Sequence, residues 1–193
     1  MTSILKSFIY PFLLLAMTSQ LTGCFTAAVG GAATGVAIAT DKRTSGIYIE
    51  DENIEIKASQ QIRKTLGEEA HINVTSYNLN VLLTGEAPNE TAKAEAESIT
   101  RAVEHVKHIT NEIVVGPKSR IRDRANDSYI TSKVKAKFLA EKNFSANDVK
   151  IVTEASVVYL IGIVGPREAE LATEIARTTD GVTKVVKLFE YQN

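Results

Sequence analysis

The chain has 193 residues, 44% of them hydrophobic and 23% charged, with a formal net charge of −1. That composition belongs to a folded chain of one or two small domains and excludes a disordered one. A single cysteine excludes an intramolecular disulfide and a thiolate metal cluster.

The N-terminus reads as an export signal. Lys6 supplies a short positive region, and Phe8, Ile9, Phe12, Leu13, Leu14 and Leu15 supply the apolar core behind it. The stretch is short for a membrane span. It ends in Leu21-Thr22-Gly23-Cys24, which resembles the bacterial lipobox, an aliphatic residue and two small ones before a cysteine. Residues 1–23 are therefore expected to be removed and Cys24 to become the lipidated first residue. Several acyl chains at roughly 0.8 kcal/mol per buried methylene make such an anchor nearly permanent. Phe25 follows, rather than the Asp associated with inner-membrane retention, so the expected location is the outer membrane, facing the periplasm. Residues 24–46, rich in Ala, Gly, Val and Thr, read as a flexible tether, with a short membrane-hugging helix as the alternative.

The remainder contains itself twice. Val81-Leu82-Leu83-Thr84-Gly85 matches Val158-Tyr159-Leu160-Ile161-Gly162 at a spacing of 77, Pro88 and Glu90 match Pro166 and Glu168 at 78, and Ile54 and Ile109 match Ile130 and Val185 at 76. Two copies are too few for a solenoid. Two small domains are expected, residues 47–116 and 127–193, joined by a basic linker, 117–126. Each opens with an amphipathic helix: Ile54, Ala58 and Ile62 in the first, Ile130, Val134 and Phe138 in the second, at spacing four. A strand follows, His71–Ser76 or Val149–Thr153, and then a second strand carrying the repeated glycine. Gly85 and Gly162 mark a bend or a close backbone approach. An Ala/Glu-rich helix and a third strand, Val106–Val115 or Val182–Glu190, complete the unit. The fold class is α+β: two tandem α-β-β-α-β domains, each a three-stranded sheet packed on two helices.

This pattern resembles the BON domain, a module of bacterial envelope proteins. The most specific stretches are Ala39-Thr40-Asp41, Ala70-His71-Ile72-Asn73-Val74-Thr75 and Asn126-Asp127-Ser128-Tyr129-Ile130-Thr131. With a lipobox in front, the chain is similar to dual-BON outer-membrane lipoproteins. The resemblance implies binding of anionic phospholipid (phosphatidylglycerol, cardiolipin) through the first helix of the second domain, a role in outer-membrane integrity, and no enzymatic activity or cofactor.

Charge points independently to the same domain. Ile47–Val115 holds six Lys or Arg against twelve Asp or Glu, whereas Pro117–Asn193 holds thirteen against ten. Basic residues beside an anionic leaflet contribute about 1 kcal/mol each, less as salt screens them. On the helix expected over Ser128–Lys142, Tyr129, Ser132, Lys133, Ala136 and Ala140 lie opposite the apolar stripe, with Leu139 at the margin. Tyr129 suits a headgroup interface, and Lys133 can meet phosphate while its stem lies on acyl chains. Asp127 is expected to cap the helix. Lys118, Arg120, Arg122 and Arg124, with Lys135, form an auxiliary electrostatic set; the alternatives are an ordinary solvated face and a solubilising linker.

Nucleic acid is an unsuitable target, since aromatics are few and no helix-turn-helix pattern is present. His105 and His108 lack an evident third metal ligand, and His71 reads as a packing or edge position, so no metal site is expected. No hydrolase, zincin or phosphate-loop motif occurs. A second functional class stays open: an adaptor contacting outer-membrane assembly or cell-wall machinery, which accounts better for the acidic first domain.

Overall fold

A computed structural model describes residues 42–142 and 145–192, all within one unit, Thr40–Asn193. The signal peptide, Cys24 and residues 24–41 of the expected tether lie outside the described residues.

The first copy runs α1 (Ser45–Leu66), β1 (His71–Tyr77), β2 (Asn80–Ala87), α2 (Glu90–Arg101), β3 (His108–Asn111) and β4 (Val114–Val115). The second runs α3 (Ile121–Ala140), β5 (Val149–Glu154), β6 (Val157–Val164), α4 (Pro166–Arg177) and β7 (Lys184–Tyr191). In each sheet the middle strand pairs antiparallel with its hairpin partner and parallel with the last strand. The first copy departs from the expected three strands. Its last strand is interrupted at Glu112-Ile113, where Ile113 turns into the core, and β4 resumes beside β2 in the register of β3.

Helical spacing identifies the core correctly. Ile54, Ala58 and Ile62 on α1, and Ile130, Val134 and Phe138 on α3, are buried against their own sheets. The second helix of each copy buries small residues, Ala92 and Ala96 on α2 and Ala169, Ala172 and Ala176 on α4, which let it approach the sheet closely. Asn89 caps α2 by accepting from Ala92 N at 2.8 Å. Pro166 opens α4, where Gly165 N donates to Glu168 at 2.8 Å and holds that carboxyl below its ordinary range.

Asp127 does not cap a helix. The helix expected from Ser128 begins at Ile121, so the second half of the basic segment 117–126 is helical. That run contains no Gly or Pro to stop a helix, Asp123 favours its positive end, and Arg120 pairs with Asp123 at 2.8 Å. Asp127 thus falls mid-helix and buried. It accepts from Ala155 N at 3.0 Å and Ser156 N at 2.8 Å, the two residues of the β5–β6 turn. In the first copy Asp51 accepts from Asn78 N and Leu79 N, both at 2.8 Å, in the β1–β2 turn, and from Ser76 Oγ at 2.6 Å. All four turn residues have positive φ, from 49° to 68°, as a two-residue hairpin turn that follows the strand twist requires. None is glycine; asparagine tolerates the left-handed conformation, but it costs Leu79, Ala155 and Ser156 about 1–2 kcal/mol each. Hydrogen bonds to a buried carboxylate contribute about 1.5–3 kcal/mol each, enough to offset that cost.

Gly85 and Gly162 are close-approach positions. A Cβ would stand 2.0 Å from the carbonyl oxygen of His71 at the first and 2.3 Å from that of Asp148 at the second. Gly85 also has φ +106°.

The two sheets pack on each other. Val81 and Leu83 face the helices, but Tyr77 and Leu82 join Tyr159 and Ile161 of the second copy in a separate buried cluster. This explains why β6 is apolar almost throughout: both its faces are covered. Polar links border the joint: Asn73 to Glu154 at 2.8 Å, Lys150 to Glu55 at 2.6 Å, and Asn80 to Glu190 at 2.7 Å.

Asp127→Ala is expected to lower unfolding free energy by about 2 kcal/mol, because two turn amides lose their acceptor. Gly162→Ala should cost at least as much by forcing β5 and β6 apart. Urea denaturation checks both; an unchanged midpoint for Asp127→Ala would refute the clamp.

Candidate membrane-binding helix

Helix α3 is twenty residues long and turns one side outward along its whole length. At about 100° per residue, Ile130, Val134 and Phe138 define its inner side, with Asp127 beside them. Ile121 and Leu139 lie at one azimuth on the opposite side, about 27 Å apart along the axis. They are the most solvent-exposed large aliphatic side chains described, at 78% and 76%, and Tyr129 at the flank is 62% exposed. Between them come Ala125, Ser128, Ser132 and Ala136, all exposed. The serine hydroxyls donate back to their own helix, Ser128 to the Arg124 carbonyl at 3.0 Å and Ser132 to the Ser128 carbonyl at 2.9 Å. This satisfies the donors locally and leaves the strip nearly apolar.

Of the residues singled out from sequence, Tyr129, Ser132, Ala136, Leu139 and Ala140 are exposed on this helix. Leu139 stands at the centre of the strip rather than its margin. Ile121 lies ahead of the helix expected from Ser128, so the sequence does not mark it as part of the strip. Lys133 behaves differently from the expectation. It is half-buried, donates to the Asp180 main-chain carbonyl, and pairs with the Asp180 carboxylate at 3.1 Å. Its ammonium also sits 4.7 Å from the centre of the Tyr129 ring, so it braces that ring.

The basic residues divide in the same way. Lys118 donates to the Glu68 carbonyl at 2.6 Å, Arg120 pairs with Asp123, and Lys137 donates to the Thr178 carbonyl at 3.0 Å. Arg122 and Lys135 are exposed on either side of the strip, and Arg124 is half-buried. No helix among the described residues is long and apolar enough to cross a membrane.

Two tandem α-β-β-α-β units, each with its hairpin pinned by a helical aspartate, define the class. Residues 50–117 and 126–193 each match the BON domain, and the chain belongs to that family. It is 38% identical over 181 residues to outer membrane lipoprotein DolP of Haemophilus influenzae, an alignment covering 93% of this chain and 94% of that one. It is 40% identical over 153 residues to a protein named 21 kDa hemolysin of Actinobacillus pleuropneumoniae, covering 78% and 79%. Osmotically-inducible protein Y of Escherichia coli is 29% identical over 125 residues, covering 60% and 62%. The chain accordingly stands with the outer-membrane lipoproteins, lipid-anchored and facing the periplasm.

Among the described residues, no buried core cluster includes a side chain of the outward strip of α3. Ser132→Glu and Leu139→Glu are therefore expected to leave stability within about 0.5 kcal/mol of native. Thermal melts check this, and a loss of several kcal/mol would show that the strip has a structural partner.

Proposed function

We propose that the protein, anchored through Cys24, reads anionic phospholipid with the outward strip of α3 and supports the integrity of the outer membrane without catalysing a reaction. The observation that carries the proposal is the Ile121–Leu139 strip: two aliphatic ends and a tyrosine flank on an otherwise small-residue helix face, bordered by Arg122 and Lys135. Small residues let the helix lie close to the surface while the three large side chains enter the headgroup boundary. Tyr129 keeps its hydroxyl wet while its ring is buried, and Lys133 serves by holding that ring. Ser132, Ala136 and Ala140 supply the flat surface between.

Magnitudes fit a reader rather than an anchor. Full burial of an aliphatic or aromatic side chain contributes about 1.5–3 kcal/mol, and partial insertion less. Arg122 and Lys135 add about 1 kcal/mol each near phosphatidylglycerol or cardiolipin. The sum corresponds to weak docking, which the lipidated Cys24 makes sufficient by keeping the domain near the surface. Lys118 and Arg120 already have protein acceptors and contribute to the long-range field.

A specific observation keeps the adaptor class in view for the first copy. Ile49 and Ile56 on α1 are both exposed and lie near one azimuth of an acidic domain. An anionic leaflet repels that surface, so a protein partner such as outer-membrane assembly machinery suits it better.

The test is vesicle co-sedimentation of a chain beginning at Phe25, which keeps both copies and therefore the joint between the sheets. Binding to phosphatidylglycerol vesicles but not phosphatidylcholine vesicles is expected. Leu139→Glu or Tyr129→Glu should weaken it at least about tenfold, a loss of about 1.4 kcal/mol. Arg122→Gln and Lys135→Gln should each cost roughly fivefold at low salt, and Lys118→Gln much less. If native protein ignores both vesicles, α3 is not a lipid reader and the adaptor reading leads.

A further inference from the structure

Away from α3, the joint between the copies holds a cluster that the fold does not explain. His71 opens β1, Glu86 lies directly across from it on β2, and Glu154 ends β5 of the second copy. One nitrogen or oxygen of each side chain lies within 4.8 Å of the other two. The three are enclosed: His71 and Glu86 are half-buried and Glu154 is fully buried.

Among the described residues neither Glu86 nor Glu154 forms an ion pair with a lysine or arginine, and the only basic side chain paired with either carboxylate is His71, which faces Glu86. His71 Nδ1 is shielded from solvent and has no hydrogen-bond partner. It stands 3.4 Å from Glu86 Oε2, long for a hydrogen bond. In a tetrahedral site with ligands at 2.0–2.2 Å, adjacent ligand atoms are about 3.4 Å apart.

We propose that His71 Nδ1, Glu86 and Glu154 form a zinc site that ties the two copies together, with water as the fourth ligand. An imidazole with two carboxylates suits Zn²⁺ better than Mg²⁺ or Ca²⁺, which take oxygen ligands in larger number. Supporting groups are in place: Asn73 donates to Glu154 Oε2 at 2.8 Å, and Ser119 N donates to Glu86 Oε2 at 3.0 Å. A polar hollow of about 360 Å³, lined also by Arg63, Asn73, Lys118 and Arg124, reaches the cluster at His71. Two ligands from the first copy with one from the second make the ion a staple across the joint.

The whole mature chain, lipidated and in detergent, is stripped with chelator and titrated with Zn²⁺ by calorimetry. One ion per chain is expected, with a melting temperature that rises with zinc concentration. His71→Ala and Glu154→Gln should each weaken binding at least about tenfold, the loss typical when even a ligand's supporting groups are disturbed. The control His105→Ala/His108→Ala should match native. Should His71→Ala fail to fold, Glu154→Gln decides, because its amide keeps the shape and the Asn73 neighbour. Co²⁺ in native protein should give the intense visible bands of a tetrahedral site, absent in that variant. No saturable site, equal displacement of zinc by excess Mg²⁺, or variants within twofold of native would each overturn the proposal.

Discussion

The structure depends on a buried aspartate in the middle of a helix, present twice. Asp51 and Asp127 each face inward from their helix and receive both backbone amides of a left-handed hairpin turn. The bond pair does two things at once. It offsets the backbone strain of a turn built from Asn78-Leu79 or Ala155-Ser156, and it locks the rotation of the helix about its own axis. Once Asp127 is held, Ile130, Val134 and Phe138 must enter the core and Ile121, Ser132 and Leu139 must leave it. The outward strip of α3 is thus a consequence of an interaction on the opposite side of the same helix.

The second organising feature is the contact between sheets. A three-stranded sheet covered by helices on one side leaves its other side bare, and a domain of about seventy residues buries too little surface to tolerate that easily. Here each copy covers the other. Tyr77 and Leu82 meet Tyr159 and Ile161, and burial lifts the Tyr159 hydroxyl to about 12. The contact between the copies therefore contributes to the stability of both. The outward helix faces differ: the first belongs to the acidic copy, and the second carries Arg122, Lys135 and an apolar strip.

Much of this was legible in the amino-acid sequence, because repeat spacing and periodicity are direct records of backbone geometry. The four-residue stripes, the strand carrying Gly85 or Gly162, and the Ala-rich second helix all follow from period and residue size. The start of α3 was not legible: Asp127 before Ser128 imitates an N-cap, while nothing in Ile121–Asn126 resists helix. That misplacement hid Ile121 and gave Asp127 the wrong task. The bond from Lys133 to Asp180 joins residues 47 apart and has no local signature. The sheet contact did leave one: Val157–Val164 is nearly all apolar, as a strand covered on both faces must be. The cluster of His71, Glu86 and Glu154 left none, since its members come from three strands and two copies.

Depth of immersion of the α3 strip tests the central claim most directly. In a chain beginning at Phe25, which lacks the only native cysteine, a spin label is placed at Ser132→Cys or, for comparison, at Gln60→Cys on α1. The account expects the Ser132 label to gain oxygen contact and lose contact with a water-soluble nickel relaxant on phosphatidylglycerol vesicles, while the Gln60 label stays in water. A bound protein whose Ser132 label remained in water, or whose Gln60 label entered the bilayer instead, would contradict it.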